Sequence, residues 1–325
     1  MEVGRAQSNA SVTDDADKAV GSMPVSWGVN EALTDASIGV PGGIRARELT
    51  PRLSKPNLQC LANRRRTTMN APLNHASLKD NVSPEEWALR VDLAATYRLV
   101  ALYGWDDMIF THISARIPGP DHHFLINPYG LLFDEITASS LVKIDMDGKK
   151  VVDSPFKVNP AGFTIHSALH MYRDDAQCII HLHTTDGVAV SAQADGLLPL
   201  DQHAMLICGD LSYHDYEGVA LDLDERQRLA RDLGNEHHLM MLRNHGTLAL
   251  GKTCADAFLR IYFLERACSM QVRAMAGGTR LNMPNQGVPE KTAGQGGPAF
   301  EGLISDLAWP ALRRKLDRID PSYQH

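Results

Sequence analysis

The chain reads as an α/β protein preceded by a long polar leader. Three features point there. Ser83-Pro84-Glu85-Glu86 opens a helix, with Ser at the N-cap, Pro at the first helical position and Glu at the third. Short apolar, β-branched runs such as Cys178-Ile179-Ile180-His181-Leu182 have the length and composition of buried strands. A long run from Cys254 to Met275 has helical composition and length.

Residues 1 to about 80 are rich in Ser, Asn, Asp, Gly and Pro and show no sustained period, so they are expected to be disordered. Arg64-Arg65-Arg66 reads as solvated charge, and the segment lacks the apolar core of a secretory signal. Translation starting at Met69 is a second reading of this leader. In the first helix, Trp87, Val91, Ala94, Ala95 and Leu102 recur at helical spacing, and Gly104 suits its end. Residues 109–117 and 124–127 read as strands, followed by a turn at Pro128-Tyr129-Gly130. Residues 141–145 form a further strand, with Asp147-Gly148 as a hairpin turn into 149–152. Helices are expected at 161–172, 186–192 and 224–233. Strands are expected at 178–183, over the run ending at Arg243, and at 247–250. The domain is thus placed at 81–277. Residues 278–325 form a Gly/Pro/Gln-rich tail with one short amphipathic piece near 307–316, either flexible or covering a neighbouring subunit.

Composition narrows the function classes. A formal charge of −7 argues against a nucleic-acid partner, which selects a basic field. No apolar stretch reaches the length needed to cross a bilayer, so no membrane partner is expected. Five cysteines are scattered without a Cys-x-x-Cys pair, which fits free thiols in a reducing, cytoplasmic setting.

The chemistry-bearing pattern is His181-Leu182-His183 followed by Asn244-His245-Gly246. On a strand, positions i and i+2 share a face. An H-x-H pair alone is more often two unrelated histidines than a metal site. A third histidine arriving from another strand end strengthens the metal reading, and Gly246 permits a tight turn there. Three neutral imidazoles suit Zn²⁺, Fe²⁺ or Mn²⁺ and leave a coordination position for a substrate.

Several separated blocks carry a resemblance. They are Val158-Asn159-Pro160-Ala161-Gly162-Phe163-Thr164-Ile165-His166-Ser167, Ile180-His181-Leu182-His183-Thr184, Tyr213-His214-Asp215-Tyr216-Glu217-Gly218 and Leu242-Arg243-Asn244-His245-Gly246. Together they resemble the class II aldolase/adducin family, within it the adducin-head-like bacterial branch, over residues from about 85 to about 277. The resemblance implies a three-layer αβα fold with a central, mostly antiparallel sheet. It also implies a divalent metal on His181, His183 and His245, with Zn²⁺ the first expectation, and a homo-oligomer, a tetramer in the family's sugar-phosphate aldolases.

The chain departs from that family's aldolases in one direction. Their proton-transfer Glu, four residues before a helix His, matches Gly162, since that His is His166. Their two phosphate-binding serines match Pro160 and Ala161. Their Thr-Gly phosphate pair matches Tyr129-Gly130, and a substrate-side Asn matches His112. A phosphate dianion needs several N–H or O–H donors once it leaves water, and Pro160 and Ala161 supply no side-chain donor. The expectation is therefore a metal-dependent lyase, retro-aldol or decarboxylating, whose small-molecule substrate is a non-phosphorylated hydroxy- or oxo-acid. His112 and His166 are the candidate catalytic residues, and Gly130 and Gly162 the candidate substrate contacts. Two alternatives stand beside it: a non-catalytic adducin-head-like binding module, and a non-heme iron oxygenase using the same three histidines. His170 shares a helix face with His166, and His203 is placed on a loop. Tyr213-His214-Asp215-Tyr216 is placed on a structural turn, and Glu265 is expected to face solvent or a neighbouring subunit.

Overall fold

Ser83 caps the first helix as its sequence directs: its Oγ accepts the Glu86 backbone N–H, and helix α1 runs over Pro84–Tyr103 before Gly104 closes it in the left-handed conformation. The computed structural model describes residues 76–219 and 222–325. Residues 1–75, most of the expected leader and the alternative start at Met69, lie outside the described residues.

Seven strands form one sheet: β1 (His112–Arg116), β2 (Phe124–Ile126), β3 (Val142–Ile144), β4 (Cys178–Leu182), β5 (Leu211–His214), β6 (Leu239–Leu242) and β7 (Gly246–Gly251). Their spatial order is β3-β2-β1-β4-β7-β6-β5. Every neighbouring pair is antiparallel except β5–β6, which is parallel. The helices are α2 (Pro160–Tyr172), α3 (Thr185–Ser191), α4 (Gln202–Ile207), α5 (Glu225–Leu233), α6 (Cys254–Met275), α7 (Val288–Gln295) and α8 (Pro298–Ile319).

The strand period sorts the apolar side chains into two cores. Ile180, Leu182, Met241 and Ala249 join Leu93, Tyr97, Ile261 and Leu264 of α1 and α6 on one face. Ile179, Met240, Leu248 and Leu250 join Ile165, Leu169, Leu229 and Leu233 of α2 and α5 on the other. Neighbouring residues of one strand thus enter opposite cores, which makes a helix–sheet–helix arrangement. Residues 179 and 181 share the α2 side of β4, and that register places His181 there.

The structure differs from the sequence reading at several elements. Residues 149–152 do not form a strand. The Asp145 carboxylate accepts the N–H groups of Asp147 and Lys149, and after that turn the chain makes only an isolated bridge at Lys150. Tyr213 and His214 end β5 and are not in a turn. His203 lies in α4, whose N-cap Asp201 accepts from His203 and Ala204. The amphipathic piece near 307–316 belongs to the longer α8, in which Trp309 packs on Phe258 at 6.3 Å between ring centroids and Leu316 is buried. Tyr323 beyond it is fully buried, and the His325 carbonyl accepts the Ser139 N–H.

Candidate metal centre

Two strand ends and one turn bring three histidines together. His181 is the fourth residue of β4, and His183 follows just beyond the strand. His245 sits in the turn between β6 and β7, and β7 pairs with β4 so that His181 lies opposite Leu248 and Leu182 opposite Thr247. The turn is tight because Asn244 takes a positive φ of 57°, a conformation Asn tolerates better than most residues. Gly246 answers a different need from the one expected. A Cβ there would stand 2.3 Å from the Leu182 carbonyl oxygen, so it is the close approach of β7 to β4 that requires glycine.

One nitrogen from each of His181, His183 and His245 lies within 4.8 Å of the others. The ring centroids are 4.7–4.8 Å apart. Hydrogen bonds on the far side of two rings decide their protonation. His181 Nδ1 donates to the Thr247 carbonyl at 3.0 Å, and His183 Nδ1 faces the Asp107 carboxylate at 3.2 Å. A carbonyl and a carboxylate both accept, so each Nδ1 carries a proton, and the neutral form of each ring has its lone pair on Nε2. These two Nε2 atoms are 2.9 Å apart. Two lone pairs facing each other repel unless a cation lies between them, and this donor set fits a divalent metal of the zinc type. Burial, then the neighbouring His183 and His214, holds His245 down to about 4, and burial holds His181 well below the ordinary value. Both rings therefore present neutral nitrogens at neutral pH, the form that binds a metal.

Glu265 braces the cluster. It is buried, contrary to the solvent-facing or inter-subunit position expected of it. The Thr184 and Thr247 hydroxyls, which flank His183 and His245 in sequence, both donate to its carboxylate. Thr184 also caps α3 by accepting the Gly187 N–H at 2.9 Å. One carboxyl group thereby ties together the two segments that carry the ligand-bearing turns. Burial raises Glu265 to about 7, against the lowering effect of the two threonines.

His112 and His166 lie beside the cluster. His112 is the register partner of His181 across β1 and β4, with ring centroids 5.1 Å apart. His166, on α2, contacts His112 at 2.8 Å. Gly162, where the resemblance predicts that the aldolases' carboxylate is missing, faces the same imidazole: a Cβ there would lie 2.7 Å from His112 Cδ2. Gly130 is exposed, with φ +113°, beside Tyr129, whose N–H is given to the Lys157 carbonyl. His203 packs against Phe263 in a tilted arrangement, with ring centroids 5.2 Å apart. Sequence reasoning missed Asp107, Ser114 and Thr247. Only Ser114 left a signal, since it stands two residues from His112 and so shares its strand face.

The family model described as Class II Aldolase and Adducin N-terminal domain matches residues 91–272. A Caulobacter vibrioides protein described provisionally as an aldolase class 2 protein is 57% identical over 248 residues, covering 76% of this chain and 96% of the relative. Alpha-adducin of Mus musculus is 41% identical over 267 residues, covering 77% of this chain but 36% of the adducin. A solved aldolase II superfamily protein from Pseudomonas syringae superposes with a TM-score of 0.72 at 50% identity, covering 77% of this chain and all of that one. With these blocks, this sheet order and this histidine cluster in agreement, the chain belongs to the class II aldolase and adducin family.

Proposed function

We propose that the protein is a metal-dependent carbon–carbon lyase, retro-aldol or decarboxylating, acting on a small non-phosphorylated hydroxy- or oxo-acid. The observation that carries this reading is the convergence of His181, His183 and His245, with one nitrogen of each within 4.8 Å of the others and the His181 and His183 Nε2 atoms 2.9 Å apart. His181, His183 and His245 would hold the ion, and Zn²⁺ is the metal proposed. When bound, such an ion supplies Lewis acidity toward the enolate-like charge that both reaction types develop. Asp107 and the Thr247 carbonyl hold two of the rings in the binding tautomer. Glu265 fixes the turns behind them, and His112 meets the substrate's polar group or moves its proton.

A tetrameric, cytoplasmic protein is part of this proposal. Its support is the family and the scattered cysteines. The apolar face of α6 is partly covered within the chain, where Tyr262 packs on Tyr103 and Trp105 at 5.7 and 5.9 Å. Among the described residues, no helix is long and apolar enough to cross a membrane.

The test joins metal analysis of the purified protein to a turnover screen of hydroxy- and oxo-acids. The expected result is about one divalent ion per chain, lost in His181→Ala, His183→Ala and His245→Ala, with turnover of at least one acid. A folded protein that carries no metal, or carries it and turns over none of the acids, would overturn the lyase assignment in favour of a binding module.

A further inference from the structure

His112 begins a line of buried hydrogen bonds that leads away from the three-histidine cluster. Its Nδ1 lies 2.8 Å from His166 Nε2, and His166 Nδ1 lies 2.5 Å from Ser114 Oγ. Ser114 Oγ lies 2.7 Å from His170 Nε2, and His170 Nδ1 lies 2.6 Å from the Ala176 carbonyl oxygen. All four side chains are buried, and among the described residues no carboxylate hydrogen-bonds any of them. Charge is costly in such surroundings, so each ring is neutral, with one N–H and one lone pair.

That count leaves one arrangement of protons. The Ala176 carbonyl can only accept, so His170 donates from Nδ1 and accepts at Nε2. The single hydroxyl proton of Ser114 therefore goes to His170. His166 must then donate from Nδ1 to Ser114 and accept at Nε2. His112 donates from Nδ1 to His166, and its Nε2 is left as a lone pair. The reverse arrangement is closed, because a backbone carbonyl has no proton to give. Burial holds His112 and His170 each at about 3 and His166 well below its ordinary value, in keeping with neutral rings. Gly162 leaves room for the His112 end of this line: a Cβ there would stand 3.2 Å from His112 Nε2.

We propose that Ser114, His166 and His170 act as positioning residues that lock His112 as a hydrogen-bond acceptor beside the three-histidine cluster, so that the site selects a 2-hydroxy acid over the matching 2-oxo acid. The hydroxyl of a 2-hydroxy acid donates to His112 Nε2. The 2-oxo analogue sets a carbonyl lone pair against the imidazole lone pair. This choice of substrate rests on the proposed reading of the cluster as a small-acid site, whereas the proton arrangement does not.

Two measurements test it. Long-range ¹⁵N–¹H correlation spectra of the apo protein should show His112 with Nε2 unprotonated. Ser114→Ala should turn this into a mixture of tautomers while leaving metal content unchanged. Calorimetric titration of the Zn²⁺-loaded protein with L-lactate and pyruvate should show lactate binding about tenfold more tightly, the scale of one buried hydrogen bond against an unpaired acceptor. Ser114→Ala should shrink that preference to about twofold or less. A protonated Nε2 in the unaltered protein overturns the relay, with no variant needed. The assigned tautomer with equal binding of the two acids overturns the selectivity. The assigned tautomer with neither acid binding overturns the small-acid reading and the substrate choice with it.

Discussion

Gly162 and His112 occupy one volume: the Cβ that Gly162 lacks would fall 2.7 Å from His112 Cδ2 and 2.8 Å from its Cγ. A side chain at 162 and the observed place of the imidazole on β1 therefore exclude each other. No side chain fits at 162 while His112 keeps its place between His166 and His181.

Gly162→Ala should for this reason displace the His112 ring. Overpacking of a close-packed site costs about 1–3 kcal/mol, more than the roughly 1 kcal/mol that Ala contributes to a helix over Gly. The variant should melt at a lower temperature than the unaltered protein, and His112→Ala in the same chain should restore most of the loss. Equal melting temperatures for Gly162→Ala and the unaltered chain would show that the ring yields freely.

Asp107 gives a second test. It is 76 residues from His183 in sequence, half-exposed, and contacts the His183 Nδ1. Asp107→Asn leaves the ligand in place but removes the charge that orients and enriches it. An effect on metal affinity of about 10- to 100-fold is the usual scale for such a partner. Competition with a chromophoric chelator measures it. Because the side chain is exposed, the unfolding midpoint of the apo protein should barely move.

The histidine cluster was partly legible in the sequence because strand geometry is simple. Residues 181 and 183 must share a face, and a third histidine beside a turn glycine marked the likeliest companion through the family blocks. Asp107, Thr247 and Glu265 were not legible, since they reach the site through pairings between segments far apart in sequence, and a lone carboxylate on a long helix reads as surface. Glu265 reads that way until α6 packs against β7 and closes over it. The fold class followed from the helix caps and apolar runs. Strand β5 did not: four residues containing Ser212 and His214 carry little apolar signal, and it is parallel pairing with β6 that holds them. Residues 149–152 erred the other way: the Asp145 carboxylate takes the Lys149 N–H, and the pairing stops at two backbone bonds, Asp145 N–H to the Lys149 carbonyl and Val151 N–H to the Lys143 carbonyl.

Glu265 makes stability depend on pH with a definite sign. Its ordinary value of 4.5 is raised to about 7 in the fold, chiefly by burial. Between those two values the folded chain holds a proton that the unfolded chain has released, so the contribution is full below about pH 4.5, falls as pH rises, and is gone above about pH 7. The loss is on the order of 3 kcal/mol. Glu265→Gln removes this titration. Urea unfolding of both proteins in chelator, at pH 5, 6, 7 and 8, should show the unaltered chain losing more stability than the variant up to pH 7 and no further difference beyond. Parallel curves across the whole range would rule out the raised value.

The substrate-side prediction concerns phosphate. A phosphorylated sugar binds only where N–H and O–H donors converge on its dianion, because each unmet oxygen costs free energy once water is excluded. At the positions expected from the resemblance to match the aldolases' phosphate cradle, Pro160 has no N–H and Ala161 has no hydroxyl. Two N–H groups nearby are committed elsewhere: Tyr129 donates to the Lys157 carbonyl at 2.9 Å, and Phe163 to the Asn159 carbonyl at 3.1 Å. Fuculose 1-phosphate and ribulose phosphate should therefore bind weakly to the Zn²⁺-loaded protein and be cleaved at least about a thousandfold more slowly than by a class II aldolase. That factor corresponds to about 4 kcal/mol, the scale of two or three lost charge-assisted hydrogen bonds. Restoring donors with Pro160→Ser and Ala161→Ser should raise phosphate binding by about tenfold while leaving cleavage slow, since Gly162 still supplies no carboxylate. Efficient cleavage of either sugar phosphate by the unaltered protein would mean that the dianion finds donors elsewhere, and the pocket assignment would fall.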